Sequence, residues 1–125
     1  MRNRLLLGLL ICCLASCSES YSERIVHYLS VRDVLIQRML QVYAETGFAL
    51  ETDNRYPGPA ANGLQDSFLV GVKGPLKITS TFRRKQAETS VEVRVSQTGA
   101  GLSREALDRI RDEFIGRLEA KMGTR

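Results

Sequence analysis

Reactive side chains are scarce in this 125-residue sequence, which holds one histidine, His27, three cysteines and three prolines. Cys12 and Cys13 fall inside an apolar run near the N-terminus, and Cys17 follows that run closely. The body of the chain therefore has no thiols from which to build a disulfide framework or a cysteine-bound metal site. The patterns GxSxG, HExxH, CxxC and the phosphate-binding P-loop are all missing, which removes the familiar routes to hydrolase, metalloprotease, dithiol and nucleotide chemistry. There is no internal repeat and no low-complexity segment. Long apolar runs are missing too. The longest, from Leu5 to Leu14, is about ten residues, roughly half of what a helix needs to cross a bilayer.

What is present is 43% hydrophobic and 26% charged, a balance that supports a packed core and argues against disorder. The formal net charge is +4 and the pI about 9.2. Arg2 and Arg4 supply two of those four charges ahead of the apolar run, and without them the remainder carries only +2. Nucleic acid is not an expected partner.

Two arginines, then a short apolar run, then small residues form a secretory leader pattern. Leu14-Ala15-Ser16-Cys17 closes it. This segment resembles the bacterial lipobox, in which a branched apolar residue and two small residues precede a cysteine. The resemblance implies cleavage between Ser16 and Cys17, acylation of Cys17, and a mature chain of 109 residues once the first 16 are removed from 125. The competing reading is an ordinary signal peptide whose small-residue cleavage site happens to precede a cysteine. More than one acyl chain on a single residue exceeds the threshold for stable anchoring. Ser18 follows the cysteine where an Asp would signal retention. The same resemblance thus implies passage to the outer membrane, facing the periplasm, with membrane lipid held through Cys17.

Three regions are expected: a leader over 1–16, a lipidated cysteine and polar tether over 17–23, and one small domain over 24–125. In the domain, residues 25–29 read as a strand with Ile25, His27 and Leu29 on one side and Val26 and Tyr28 on the other. Ser30 and Asp33 match a capping box, and Leu29 with Val34 a hydrophobic staple, so a helix is expected over 31–46. Its apolar stripe is Val31, Val34, Leu35, Met39 and Val42, and Gly47 ends it in a Schellman turn with Phe48 packing back on Tyr43.

Residues 48–52 read as a strand with Phe48 and Leu50 inward, and 53–63 as a loop rich in turn residues. Apolar residues then alternate at Phe68, Val70 and Val72. Gly74-Pro75 punctuates, and alternation resumes at Leu76, Ile78 and Phe82 against Lys77, Thr79, Thr81 and Arg83. A turn over 84–87 leads to Val91, Val93 and Val95, the clearest strand. Ser103 caps a second helix, stapled by Leu102 and Leu107, with a stripe of Leu107, Ile110, Phe114, Leu118 and Met122.

The expected fold is α+β: an antiparallel sheet of about four strands in the order β-α-β-β-β-α, both amphipathic helices on one face. The other face, with Lys77, Thr79, Glu92 and Arg94, stays wet. This order resembles the helix-grip domains of small envelope lipoproteins, BamC-like domains among them. The resemblance implies a binding or assembly role.

Candidate site residues are few. His27 admits two readings, a general base and a partly buried structural histidine, and without a partner motif the second is preferred. Asp108, Asp112 and Glu113 lie among Arg104, Arg109, Arg111 and Arg117 at spacings that suit solvated helix pairs. Arg83, Arg84 and Lys85 at the hairpin tip suit either an anionic headgroup or acidic partner surface, or a solvated turn. Tyr56, inside the 53–63 loop, is a candidate partner contact. No catalytic residue, metal or cofactor is expected. The leading expectation is a non-catalytic lipoprotein serving as an accessory or binding subunit. The alternative is a carrier or sensor of an apolar ligand, which a cavity between Phe114, Leu118 and strand 91–95 would favour and a fully packed core would count against.

Overall fold

The computed structural model describes residues 21–55, 66–85, 88–99 and 101–123. Five strands and two helices follow one another: β1 (Tyr21–Tyr28), α1 (Arg32–Thr46), β2 (Ala49–Asn54), β3 (Ser67–Lys73), β4 (Leu76–Lys85), β5 (Glu88–Gln97) and α2 (Arg104–Met122). The strands form one antiparallel sheet in the order β1-β5-β4-β3-β2. The fold is α+β with both helices packed on the sheet, as expected, but with five strands where about four were expected. The extra strand comes from Gly74, which at φ +57° opens a two-residue turn with Pro75 and separates β3 from β4 completely.

The core is the set of side chains that the helices press onto one face of the sheet. Leu35, Ile36, Met39, Val42 and Tyr43 of α1 meet Leu107, Phe114, Ile115 and Leu118 of α2 over Leu69, Ile78, Phe82, Val91, Val93 and Val95. Each such burial is worth about 1.5–3 kcal/mol relative to exposure. Tyr43 and Phe114 lie with ring centroids 5.0 Å apart, and Phe48 stands edge-on to Phe114 at 6.3 Å.

The start of α1 departs from expectation. Val31, not Ser30, occupies the N-cap, with no side-chain hydrogen bond, and the helix begins at Arg32. Ser30 instead offers its carbonyl to Thr89 Oγ1 at 2.8 Å, which ties the β1–α1 turn to β5. Leu29 and Val34 are both exposed, so no staple forms, and the buried stripe is rotated to include Ile36 and Tyr43 in place of Val31 and Val34. The end of α1 follows the sequence. Gly47 has φ +80°, Phe48 N–H donates to the Tyr43 carbonyl at 3.0 Å, and the Phe48 and Tyr43 rings meet edge-on. In α2, Ser103 accepts from Ala106 N–H at 3.2 Å as its cap. Leu102 is exposed and staples nothing; its backbone is held by the Gln97 amide, which donates to its carbonyl at 2.6 Å and accepts from its N–H at 2.8 Å.

Two strands turn differently from their expected faces. In β3 the register pairs Phe68, Val70 and Val72 with Thr81, Thr79 and Lys77, so these three lie on the face away from the helices. Leu69 and Gly71 point to the core instead. The cause is Gly71, whose missing side chain leaves room for the Tyr43 ring. In β2, Leu50 is exposed and only Phe48, just before the strand, is buried. A register shift between Leu50 and Thr52 breaks the simple alternation. Lys77, Thr79, Glu92 and Arg94 occupy the uncovered face, as expected.

β1 begins at Tyr21, inside the stretch read as tether, and Asp53 and Asn54 belong to β2 rather than to the following loop. Among the described residues, the buried Ser22, Ser67, Ser80, Thr89 and Gln97 side chains each find a hydrogen-bond partner. Ser22 meets Asp108 and Arg111, Ser67 donates to the Arg55 carbonyl, Ser80 pairs with Tyr43, and Thr89 and Gln97 hold the turns above. Among the described residues no helix is long and apolar enough to cross a membrane.

Candidate functional site

Ser16, Cys17 and Tyr56 lie outside the described residues, as does the side chain of Lys85. The other candidates are placed, and strand alternation separates them. Arg83 pairs in register with Ser90 on the uncovered face, whereas Arg84 pairs with buried Thr89 and lies on the helix side. Arg83 is engaged: its Nε donates to Asp66 at 2.8 Å and its Nη1 to Glu92 at 3.3 Å. The Asp66 carboxylate holds the guanidinium proton still more firmly than usual. Arg84 makes no ion pair among the described residues and borders a shallow hollow with Val31, Arg32 and Asp33. The arginines of the run are therefore not one cationic patch.

His27 is exposed on the uncovered face, with its Nδ1 3.1 Å from Glu88 Oε1 across the β1–β5 ladder. The structural reading of this residue had it partly buried, and the side chain is instead 61% exposed. Its register partner across the ladder is Ser90, and both stand on an open sheet face rather than in a cleft. Among the described residues no group of three His, Cys, Asp or Glu side chains could hold a metal ion.

The acidic residues of α2 were read as solvated pairs along one helix face. Glu113 and Arg117 do pair so, at 3.4 Å. Asp108 and Asp112 also pair along the helix, with Arg111 at 3.4 and 3.0 Å, and in addition reach β1. Ser22 Oγ donates to Asp108, Arg111 Nη1 donates to Ser22 Oγ at 2.8 Å and to the Glu23 carbonyl at 3.3 Å, and Arg24 pairs with Asp112 at 3.4 Å. This polar joint fastens the first strand to the last helix. Spacing along α2 carried no sign of it, because the partner lies 86 positions away.

A cleft of about 360 Å³ opens where the end of α1, the middle of α2 and the β3–β4 turn converge. Phe48, Leu76, Ile110 and Phe114 supply its apolar surface, and Glu45, Glu113, Lys73 and Arg117 its rim. Three of these rim charges form ion pairs and the fourth, Lys73, bonds to backbone. Arg117 contacts Glu113 and Glu45, Lys121 also pairs with Glu45, and Lys73 Nζ donates to the Thr46 carbonyl at 3.0 Å, where it completes the C-terminal turn of α1. The cleft opens beside Phe114 on the Phe48 side, while Leu118, Val91, Val93 and Val95 are closed within the core. Neither Lys73 nor Leu76 was expected to line a cleft. Their positions flanking Gly74-Pro75 were the available signal, since residues beside a tight turn meet the end of a neighbouring helix.

Chemically the domain offers surfaces for contact: a small cleft with an apolar floor, an uncovered sheet face on which Phe68, Val70 and Val72 stand half-buried among paired charges, and an exposed edge strand. No known protein family, curated protein or solved structure matches the chain.

Proposed function

We propose that this chain is a bacterial lipoprotein anchored through acyl chains on Cys17 at the periplasmic face of the outer membrane. Its domain would serve as a non-catalytic accessory or binding subunit of an envelope assembly. The observation that carries the reading is Leu14-Ala15-Ser16-Cys17 at the end of an apolar run headed by Arg2 and Arg4. The start of β1 at Tyr21 supports it, because a folded domain close behind the cysteine is what a short membrane tether would hold. A partner protein would meet the domain on its uncovered face or edges.

The test compares the native full chain with Cys17→Ala by intact mass and by fractionation of cell envelopes. The native chain is expected to begin at Cys17, to carry acyl mass and to stay in the outer membrane, and the variant to be released from it. A native chain that begins elsewhere, or carries no lipid, would overturn the reading.

The cleft beside Phe114 favours a second reading, a carrier or sensor of a small apolar ligand. It ranks below the first because the rim side chains Glu45, Glu113 and Arg117 are engaged in ion pairs and its volume is at the lower end for ligand sites. Titration with an eight-carbon fatty acid, followed by NMR, should shift Leu76, Ile110 and Phe114 if it holds. Unmoved resonances would remove it.

A further inference from the structure

Among the described residues, most of the exposed large apolar side chains lie between Tyr21 and Val34, on β1, the turn after it and the start of α1. Five of the seven fall within Tyr21, Ile25, Leu29, Val31 and Val34, and a sixth is Leu102. Leu29 is 88% exposed, Val31 64% and Ile25 51%. Tyr21 and Ile25 pair in register with Ser96 and Glu92 and so stand on the uncovered face of β1, an edge strand. Leu102 joins them at the Tyr21 end, held there by Gln97, the neighbour of Ser96. Edge strands are ordinarily guarded by charge. Here Arg24 pairs with Asp112 on α2 and His27 with Glu88 on β5, so that Glu23 is the one charge of β1 without an ion pair among the described residues, and Tyr21 and Ile25 on either side of it face out. Arg94 stacks over the Tyr21 ring at 4.0 Å, and Arg32 and Arg84 flank the far end beside Asp33 without ion pairs among the described residues.

This stretch begins next to the proposed anchor. Four residue steps from Cys17 to Tyr21 span at most about 14 Å, so an acyl group on Cys17 holds the Tyr21 end of β1 close to the bilayer surface. From Tyr21 to Tyr28 the strand extends about 23 Å, and Leu29 follows it. A contact made by a domain already tethered is intramolecular and needs little affinity to be populated.

Resting on the lipoprotein reading, we propose that the β1 edge is a membrane-contact surface. The domain lies with this strand along its own bilayer, Tyr21 at the interface near the lipidated cysteine and Leu29, Val31 and Val34 dipping into the headgroup region beside Arg32 and Arg84. An amphipathic ring and apolar side chains bordered by arginine suit that interface. The arrangement fixes the domain's orientation and turns the β2 edge towards the periplasm.

The test uses the full chain, processed in cells and reconstituted into vesicles of phosphatidylethanolamine and phosphatidylglycerol. Ile25→Cys, Leu29→Cys and, on the opposite edge, Leu50→Cys are each labelled with a fluorophore that nitroxide-bearing lipid quenches. Labels at 25 and 29 should be quenched several-fold more than the label at 50. Adding Leu29→Asp and Val31→Asp should bring the label at 25 down to the level of the label at 50. If mass spectrometry shows Cys17 acylated and the three labels are quenched alike, the proposal is overturned and the lipoprotein reading stands. Self-quenching between copies labelled at 29 would also overturn it, since a second chain would then cover the edge. If Cys17 is unmodified but added vesicles still quench 25 and 29 selectively, the edge is a membrane surface and the anchor is not. Unmodified Cys17 with unquenched labels removes both.

Discussion

Tyr43 fills the space that a side chain at residue 71 would occupy: a Cβ on Gly71 would stand 2.5 Å from Tyr43 Cδ1 and 2.6 Å from Cε1. The ring cannot swing away, because its hydroxyl is held by Ser80 at 2.8 Å and by the Ile78 carbonyl at 3.0 Å. Gly71→Ala is therefore expected to destabilise the domain by about 1–3 kcal/mol, the range for overpacking a core. Urea denaturation would show it as a lower midpoint at an unchanged slope. A midpoint at or above that of the native chain would mean that α1 does not press on β3 at this point.

Burial raises the Tyr43 phenol above its ordinary value of 10.0, against the opposing effect of its hydrogen bond with Ser80. In the unfolded chain this group loses its proton near pH 10, while in the folded chain it keeps it. The stability it contributes is thus complete below about pH 10 and falls as the pH rises further. Tyr43→Phe should lower stability at neutral pH by about 1–3 kcal/mol, through the Ser80 hydroxyl left without its partner. It should also make the alkaline decline shallower. Parallel denaturation curves at neutral pH and near pH 11 would test both parts.

The joint between β1 and α2 combines a buried contact with an exposed one. Ser22 is 1% exposed, so Arg111→Ala, which removes a donor from it, is expected to cost about 1–3 kcal/mol. Arg24→Ala breaks a solvent-facing pair with Asp112 and should cost no more than about 1 kcal/mol. Thermal or urea unfolding of both variants would rank them. Equal effects would mean that the two contacts act as a single network.

The elements whose signals are local were legible in the sequence. The Gly47 ending of α1, the Ser103 cap, the strand of Val91, Val93 and Val95, and the wet positions Lys77, Thr79, Glu92 and Arg94 all stand where residue type and spacing placed them. What misled were residues whose role is decided by a distant neighbour. Ser30 resembles a cap, but Thr89 of another strand takes its carbonyl and Val31 stands at the helix start. Phe68, Val70 and Val72 alternate like a core strand, but a glycine two residues from Leu69 makes the opposite face the one that accepts Tyr43. Asp108 has a plausible partner on its own helix and finds a further one in Ser22. Of the candidate contacts, Arg83 and Arg84 are consecutive in the chain yet belong to different faces, a separation that follows once the strand continues through them to Lys85.

The sheet order also sets the sequence of events by which the chain reaches this state. β1 has a single neighbour, β5, and its other fastening is to α2, so every contact that secures it comes from the last third of the polypeptide. Ser22 and Asp108 close a loop of 86 positions, and such distant closures are made slowly, after the nearer hairpins have formed. The first strand to be synthesised is then the last to dock. Until it does, Val26 and Tyr28, which end up buried, are exposed alongside Tyr21 and Ile25, and the partner edge of β5 stands unpaired. The nascent protein thus has a period of vulnerability to aggregation that ends only when its C-terminal helix arrives.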